Sequence, residues 1–306
     1  MKYIFILNPK DTVFVDEFQR QFPTCKEYLD TRKIEYSIYN MRGVGDGIRR
    51  VRVYCDLHPD EKVCFVACGR DNIINEVAAG LVGFKDKTMA IFSRNEMGSD
   101  FVKYYPDLDF FDLRNVLSEN IAPVDIIQVN DNYAINVCNF GFDSVVGATA
   151  KQLVDMGIKQ PYRIGVIKAL LIGRYNKIRV EVDGKPIGKK KMLLCTLANG
   201  RYVGGEFLCA PKALNNDGLM EVCYLKTMSL LSLLRLMPLY RKGKHLDDKR
   251  FVKKVIYCQT THVTVKSKKI ISLCLDGEML PGTSFDIDVI PSAIQLRLPT
   301  AENQTK

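Results

Sequence analysis

The sequence predicts two domains, a parallel α/β domain followed by an antiparallel, β-rich, sandwich-like one. Three observations carry that reading. Up to about residue 92, short apolar runs alternate with stretches whose apolar residues recur at helical spacing, the pattern of a parallel sheet flanked by helices. Beyond Pro123, runs joined by turn residues, starting with Asn130-Asp131-Asn132, read as hairpins. A chain of 306 residues is also too long for one small core. The change of character at Ile121-Ala122-Pro123 divides the chain into residues 1–122 and 123–290.

Tyr3 to Leu7 is the first strand, stopped by Asn8-Pro9, and the helix from about Val15 to Thr31 has an apolar side of Phe18, Phe22, Tyr28 and Leu29. Ile34 to Tyr39 is the second strand. A turn punctuated by Gly43, Gly45 and Gly47 leads to a helix ending near Leu57, before His58-Pro59. Val63 to Ala67 is a buried-strand pattern broken by Gly69, and Ile73, Ile74, Val77, Ala78 and Leu81 then fall on one helical face. Met89 to Phe92 is the fourth strand. This is a Rossmann-like alternation, in which ligands sit at the carboxyl ends of the strands. In the second domain, strands are expected at Asp125 to Val129, Tyr133 to Val137, Lys177 to Val182, Lys191 to Leu197, Val255 to Cys258, His262 to Ser267, Ile270 to Leu275, Phe285 to Ile290 and Ala293 to Leu298. Helices are expected at about Ser144 to Met156, Tyr162 to Tyr175 and Met228 to Tyr240, and residues 301–306 read as disordered.

Hydrophobic residues at 47% and charged residues at 26% are those of an ordinary globular protein. The net charge of +9 favours anionic partners without choosing among membrane, nucleotide and nucleic acid. No aromatic–basic interleaving supports nucleic acid. Six of the ten cysteines lie inside apolar strand-like runs and no CxxC occurs, so they read as reduced, buried thiols of a cytoplasmic protein. The apolar start MKYIFIL is too short for a signal peptide, and the stretch near Leu230 to Leu239 is interrupted by Arg235 and Pro238, so no transmembrane segment is expected. Nothing in the pattern excludes a homodimer.

The stretch after the third strand, GRDNIINEV, resembles the GGDGTxNEV motif of the diacylglycerol and sphingosine kinase family through Gly69, Asp71, Asn75, Glu76 and Val77. Arg70, Asn72 and Ile73 stand where the family has Gly, Gly and Thr. The first loop keeps only Asn8 and Pro9 of NPxSGxG, Met41 replaces a Thr in the second, and RNEMGSDF resembles PxGTxNDF through Asp100 and Phe101, with Glu96 at the Gly position and Met97 at the Thr position. Later matches are fuller: NVCNFGFDSVV resembles NxxxxGFDAxV, and the run from Asn199 to Val222 resembles NGxYxGGGxxxxPxAxxxDGxL, with Glu206 as the changed Gly. Asp276-Gly277-Glu278 matches DGE.

The resemblance implies a bacterial diacylglycerol-kinase-like lipid kinase using ATP and Mg²⁺, with nucleotide and lipid held between the domains and the C-terminal strand, 291–306, completing the first. It implies Glu278 as acceptor of the lipid hydroxyl proton, with Asp276 beside it in the DGE motif, and Asp71 acting near the phosphates through Mg²⁺. It also implies Asn8, Gly69, Arg70, Asn72, Ile73, Asn75, Glu76, Met97 and Asp100 at the nucleotide, and a structural magnesium on Asp217 with the carbonyls of Leu214 and Leu219. Each has a plain alternative: Asp71 as a helix N-terminal carboxylate, Asn216-Asp217-Gly218 and Asp276-Gly277 as turns. Arg70 offers phosphates a forked cation or fills their place, and Ile73 and Met97 offer no hydroxyl, each missing hydrogen bond being worth about 1 kcal/mol. The leucine-rich helix and the clusters Arg241-Lys242-Gly243-Lys244, Lys189 to Lys191 and Lys266 to Lys269 suit an anionic membrane surface, to which the protein would bind peripherally. A second reading is a catalytically silent relative that binds or senses lipid.

Overall fold

The computed structural model describes residues 1–94, 99–156, 164–165, 168–169, 177–188 and 191–300. Met97, Lys189, Lys190, most of the expected helix from Tyr162 to Tyr175, and residues 301–306 lie outside the described residues. The chain forms two compact units, Met1–Ile126 with the chain from Pro291 onward, and Ile127–Ile290.

The first unit is built on β1 (Lys2–Leu7), α1 (Thr12–Thr31), β2 (Glu35–Asn40), α2 (Asp46–Leu57), β3 (Val63–Cys68), α3 (Asp71–Leu81) and β4 (Thr88–Phe92). These four strands pair in parallel, in the order β2-β1-β3-β4. The inner strands β3 and β4 are buried at every residue, as helices on both faces require, whereas the edge strand β2, EYSIYN, is mostly polar or half-exposed. Phe18 stacks on Phe22 and Phe92 on Phe111, filling one side of the sheet. The end of β16 (Glu278–Arg297) runs parallel to β4, with Leu296 opposite Met89. Arg297, buried, anchors it by donating from Nε to Thr88 Oγ1 at 3.0 Å and from Nη1 to the Ser118 carbonyl at 2.7 Å.

The strands of the second unit include β7 (Val137–Gly141), β10 (Met192–Ala198), β13 (Met220–Lys226), β14 (Val255–Thr260) and β15 (His262–Leu275). With β16 they form the antiparallel run β14-β13-β10-β7-β15-β16. One edge of β15 follows β16; the other pairs with β8 (Ile178–Val182) through residues 263–267 and with β7 through 273–275. One core cluster gathers Phe140, Met192, Tyr224, Phe285 and Ile287. Another, against the other face of β10 and β13, takes side chains from α4 (Phe142–Asp155) and from the helix Leu230–Arg241, labelled α5. All ten cysteines are thiols outside any disulfide, and only Cys258 and Cys274 are less than fully buried. Burial pushes the Cys25 thiol up to about 12 and the Cys64 thiol to about 11.

Five boundaries differ from expectation. Helix α1 begins at Thr12, because the Asn8 carbonyl takes the Asp11 N–H at 3.0 Å and starts the turn early. The strand expected from Tyr133 to Val137 stops at Ala134 (β6, Asn132–Ala134), since the next three N–H groups go to a carboxylate described below. Two expected strand pairs are single long strands: β15 passes through an irregularity between Lys266 and Ile271, and β16 continues through Pro291. Ser229 caps α5, its Oγ accepting from Ser232 N–H at 3.3 Å, which delays the expected start at Met228.

Candidate active site

In the first unit the chain leaves β1 toward β2 on one side and then crosses to β3 on the other, so the order β2-β1-β3-β4 puts the topological switch point between the carboxyl ends of β1 and β3. The loops 8–11 and 69–70 meet there. Asn8 shapes the first: its Oδ1 accepts the Lys10 N–H at 3.0 Å. Asp11 is the N-cap residue of α1, yet its side chain makes no cap bond to its own helix. Instead Arg70 Nε donates to Asp11 Oδ2 at 2.8 Å, closing the switch point with an ion pair. The Asp11 side chain is 16% exposed and that of Arg70 48%, so the guanidinium remains open to solvent.

Gly69 is at φ +152, and a Cβ there would lie 2.6 Å from Ile73 Cδ1. The side chain that replaces the family Thr thus packs on the glycine backbone. Asn72 is half-buried in the first turn of α3 and Asn75 is buried. Asp71 accepts from Ser99 Oγ at 2.9 Å, Asp100 N–H at 2.7 Å and Phe101 N–H at 3.2 Å, fixing the segment after β4. Burial pushes its carboxyl up to about 6, against the pull of those hydrogen bonds. Asp100 is buried and accepts Lys103 Nζ at 2.5 Å. Glu76 faces elsewhere: its oxygens take the Gly45 and Gly47 N–H groups at 2.9 and 2.8 Å and tie α3 to the start of α2. Among the predicted nucleotide residues, Asn8, Gly69, Arg70, Asp71, Asn72 and Ile73 therefore cluster at the switch point. Glu76 supports it from behind.

In the second unit, Asp276 and Gly277 form the turn between β15 and β16, at φ +46 and +95. The buried Asp276 carboxylate accepts Ile135 and Asn136 N–H at Oδ2, at 2.8 and 3.0 Å, and Val137 N–H at Oδ1, at 2.7 Å. Its own N–H donates to the Val137 carbonyl at 3.1 Å. Glu278, half-buried, is the first residue of β16 and lies opposite Leu275. Asp217 is exposed. Its Oδ1 takes the Leu219 N–H at 3.0 Å, while the Gln259 amide lies 3.4 Å from Oδ2 and 3.1 Å from Glu221 Oε1. Burial raises the Glu221 carboxyl above its ordinary value.

Residues 136–298 match the model of the YegS C-terminal NAD kinase beta sandwich-like domain. A diacylglycerol kinase of Bacillus subtilis (strain 168) is 30% identical over 71% of this chain and 72% of its own. The chain belongs to the diacylglycerol kinase and YegS-like lipid kinase family. A probable lipid kinase YegS-like protein of Serratia proteamaculans (strain 568) is 29% identical over 83% of this chain and 82% of its own. The crystal structure of a diacylglycerol kinase candidate from Bacillus anthracis str. Sterne shares the fold, with a TM-score of 0.71 at 17% identity, covering 98% of each chain. Among the described residues no helix is long and apolar enough to cross a membrane.

For a member of this family, three residues of consequence escape a motif reading. Asp11 and Ser99 fall outside the matched letters, and Gln259 lies 42 residues from the Asp217 it approaches. Asp11 alone had a signal, an unmatched acid in the loop after the first strand of a chain with an unmatched Arg after the third.

Proposed function

We propose that the chain is an ATP-dependent lipid kinase that phosphorylates a diacylglycerol-like hydroxyl at a membrane surface. The observation that carries this reading is the Asp276-Gly277-Glu278 turn, where three buried backbone N–H groups hold one carboxylate and thereby fix the backbone that presents the next. A base must be positioned before its basicity matters, and a turn locked at this density is more than a hairpin needs. Glu278 accepts the hydroxyl proton as the lipid oxygen bonds to the γ-phosphorus. The bond from that phosphorus to the bridging oxygen breaks, its electron pair leaving with ADP. Asp276 is a positioning residue.

In the first unit, Arg70 supplies the phosphates with a guanidinium in place of a glycine backbone, released from Asp11 when a more highly charged partner arrives. Asp71 acts by holding residues 99–101, since three hydrogen bonds already engage its carboxylate. A magnesium ion would be held by the exposed Asp217 carboxylate, whose Oδ2 has a 3.4 Å contact from the Gln259 amide, together with the carbonyls of Leu214 and Leu219 around the turn at Asn215-Asn216. Such an ion would stiffen that turn.

The Arg70–Asp11 pair also favours a second reading, a silent relative whose switch point is permanently closed and which binds lipid without phosphoryl transfer. Transfer of the γ-phosphate of ATP to diacylglycerol dispersed in vesicles separates them. The kinase reading expects phosphatidate from the native protein and a loss of about 10²–10⁴-fold in Glu278→Gln with an unchanged unfolding midpoint. No product from the native protein under conditions where it binds Mg-ATP would leave the silent reading standing.

A further inference from the structure

We infer that α5 is the membrane-docking element: the outward face of Leu230–Arg241, carrying Leu230, Leu231 and Leu234 and bordered by Arg235, Arg241 and Lys242, seats on an anionic bilayer. The inference rests on the lipid-kinase reading for its purpose, because a diacylglycerol-like substrate resides in a bilayer, but its observations are independent.

At about 100° per residue, Leu233, Leu236 and Tyr240 fall on one stripe of the helix, and all three are buried in the second unit's core. The opposite side should then be polar. It carries Leu230 at 41% exposure, Leu231 at 58% and Leu234 at 55%, within the first turns, followed by exposed Arg235 and Pro238. A single exposed leucine needs no explanation, but three adjoining ones make a patch. Ser229 fixes where the helix starts, so the patch is held on a capped helix rather than on a loop.

Charge selects the occupant. From Lys226 to His245 the chain carries Lys226, Arg235, Arg241, Lys242 and Lys244 and no carboxylate. A second copy in a two-fold interface would set these cations against themselves, at a cost that three leucines do not offset. Lipid phosphates complement them, and leucines bordered by cations are what an interfacial helix presents to an anionic membrane. The Arg241–Glu206 pair, 2.9 Å apart with both side chains 56% exposed, is weak enough to exchange for a headgroup.

The test is co-sedimentation of the full chain with vesicles of phosphatidylcholine alone, or of phosphatidylcholine and phosphatidylglycerol in equal parts, at low and high salt. The native protein is expected on the anionic vesicles only, and less at high salt. Leu231→Ser with Leu234→Ser should weaken that binding by about tenfold or more, and Arg235→Ser with Lys242→Ser should flatten its salt dependence. Ile270→Ser, which removes a 75% exposed isoleucine beside Lys268 and Lys269, should change nothing. Urea midpoints verify folding; were the leucine pair to unfold, Leu231→Ser alone carries the test. The inference falls if the native protein ignores anionic vesicles, if the leucine variants bind as it does, if only Ile270→Ser releases it, or if light scattering shows a dimer that those variants dissociate. Mg-ATP stabilisation of the same proteins keeps the failures apart. Vesicle binding without an ATP response removes the kinase reading and leaves the docking face, and the reverse removes the docking face alone.

Discussion

Asp71 and Asp276 solve the same problem in two units with different results. Each carboxylate accepts three hydrogen bonds from a segment distant in sequence, Asp71 from 99–101 and Asp276 from 135–137. All three donors to Asp276 are consecutive backbone N–H groups, so deleting the acceptor orphans them together. One of Asp71's donors is a hydroxyl that can turn away, and burial taxes its charge, pushing its pKa up to about 6. The comparison teaches that a motif acid can be kept for geometry, and that how much it stabilises depends on who its donors are.

The sharpest way to break the comparison is deletion. Asp276→Ala should destabilise the second unit by roughly 4 kcal/mol in urea unfolding, and Asp71→Ala the first by about half that. Equal losses would mean that the donor sets are equivalent after all.

Acid should separate the units next. The raised pKa of Asp71 means that the folded state binds its proton more tightly than the unfolded chain, so its contribution is full below about 3.8 and lost as pH rises to about 6. His245 runs the other way. Wholly buried, with Nε2 3.6 Å from Cys223 Sγ and its ring against Tyr240, its pKa is pushed down to about 4 by burial, so its contribution is full above 6.5 and lost as pH falls toward 4. Between pH 6 and 4, opening free energies from hydrogen exchange should rise for β3 and fall for β13, each by about 2 kcal/mol. Asp71→Asn should flatten the first trend and His245→Phe the second; parallel trends would contradict the assignment of either group.

This also shows where the sequence was legible. Strand positions and fold class could be read because β3 and β4 are continuous apolar runs and the turns are spelled in Gly, Asn and Asp, whereas the strand order could not. Motif letters located the turn at Asp276 and the loop at Gly69 without revealing what those residues touch. Nothing in the spacing of Glu76 discloses that its oxygens belong to Gly45 and Gly47, 31 and 29 residues away, and nothing near Tyr133 reveals that Asp276 ends its strand. Hydrophobic period reports burial, which is a local average. Hydrogen-bond partners across the fold are pairwise facts that a single chain does not write down.

The substitutions at the switch point give the smallest expected effect and the most direct test. Mg-ATP titrated into the native protein, Asp11→Asn and Arg70→Ala, with thermal stability as the readout, asks whether Arg70 serves phosphate or seals the crevice. If Arg70 is the phosphate's cation, the native protein is stabilised with rising ATP, freeing Arg70 by Asp11→Asn tightens binding by about tenfold, and Arg70→Ala weakens it by about as much. If ATP stabilises only Arg70→Ala, the guanidinium is a plug, and the account of the first unit as a working nucleotide site is contradicted.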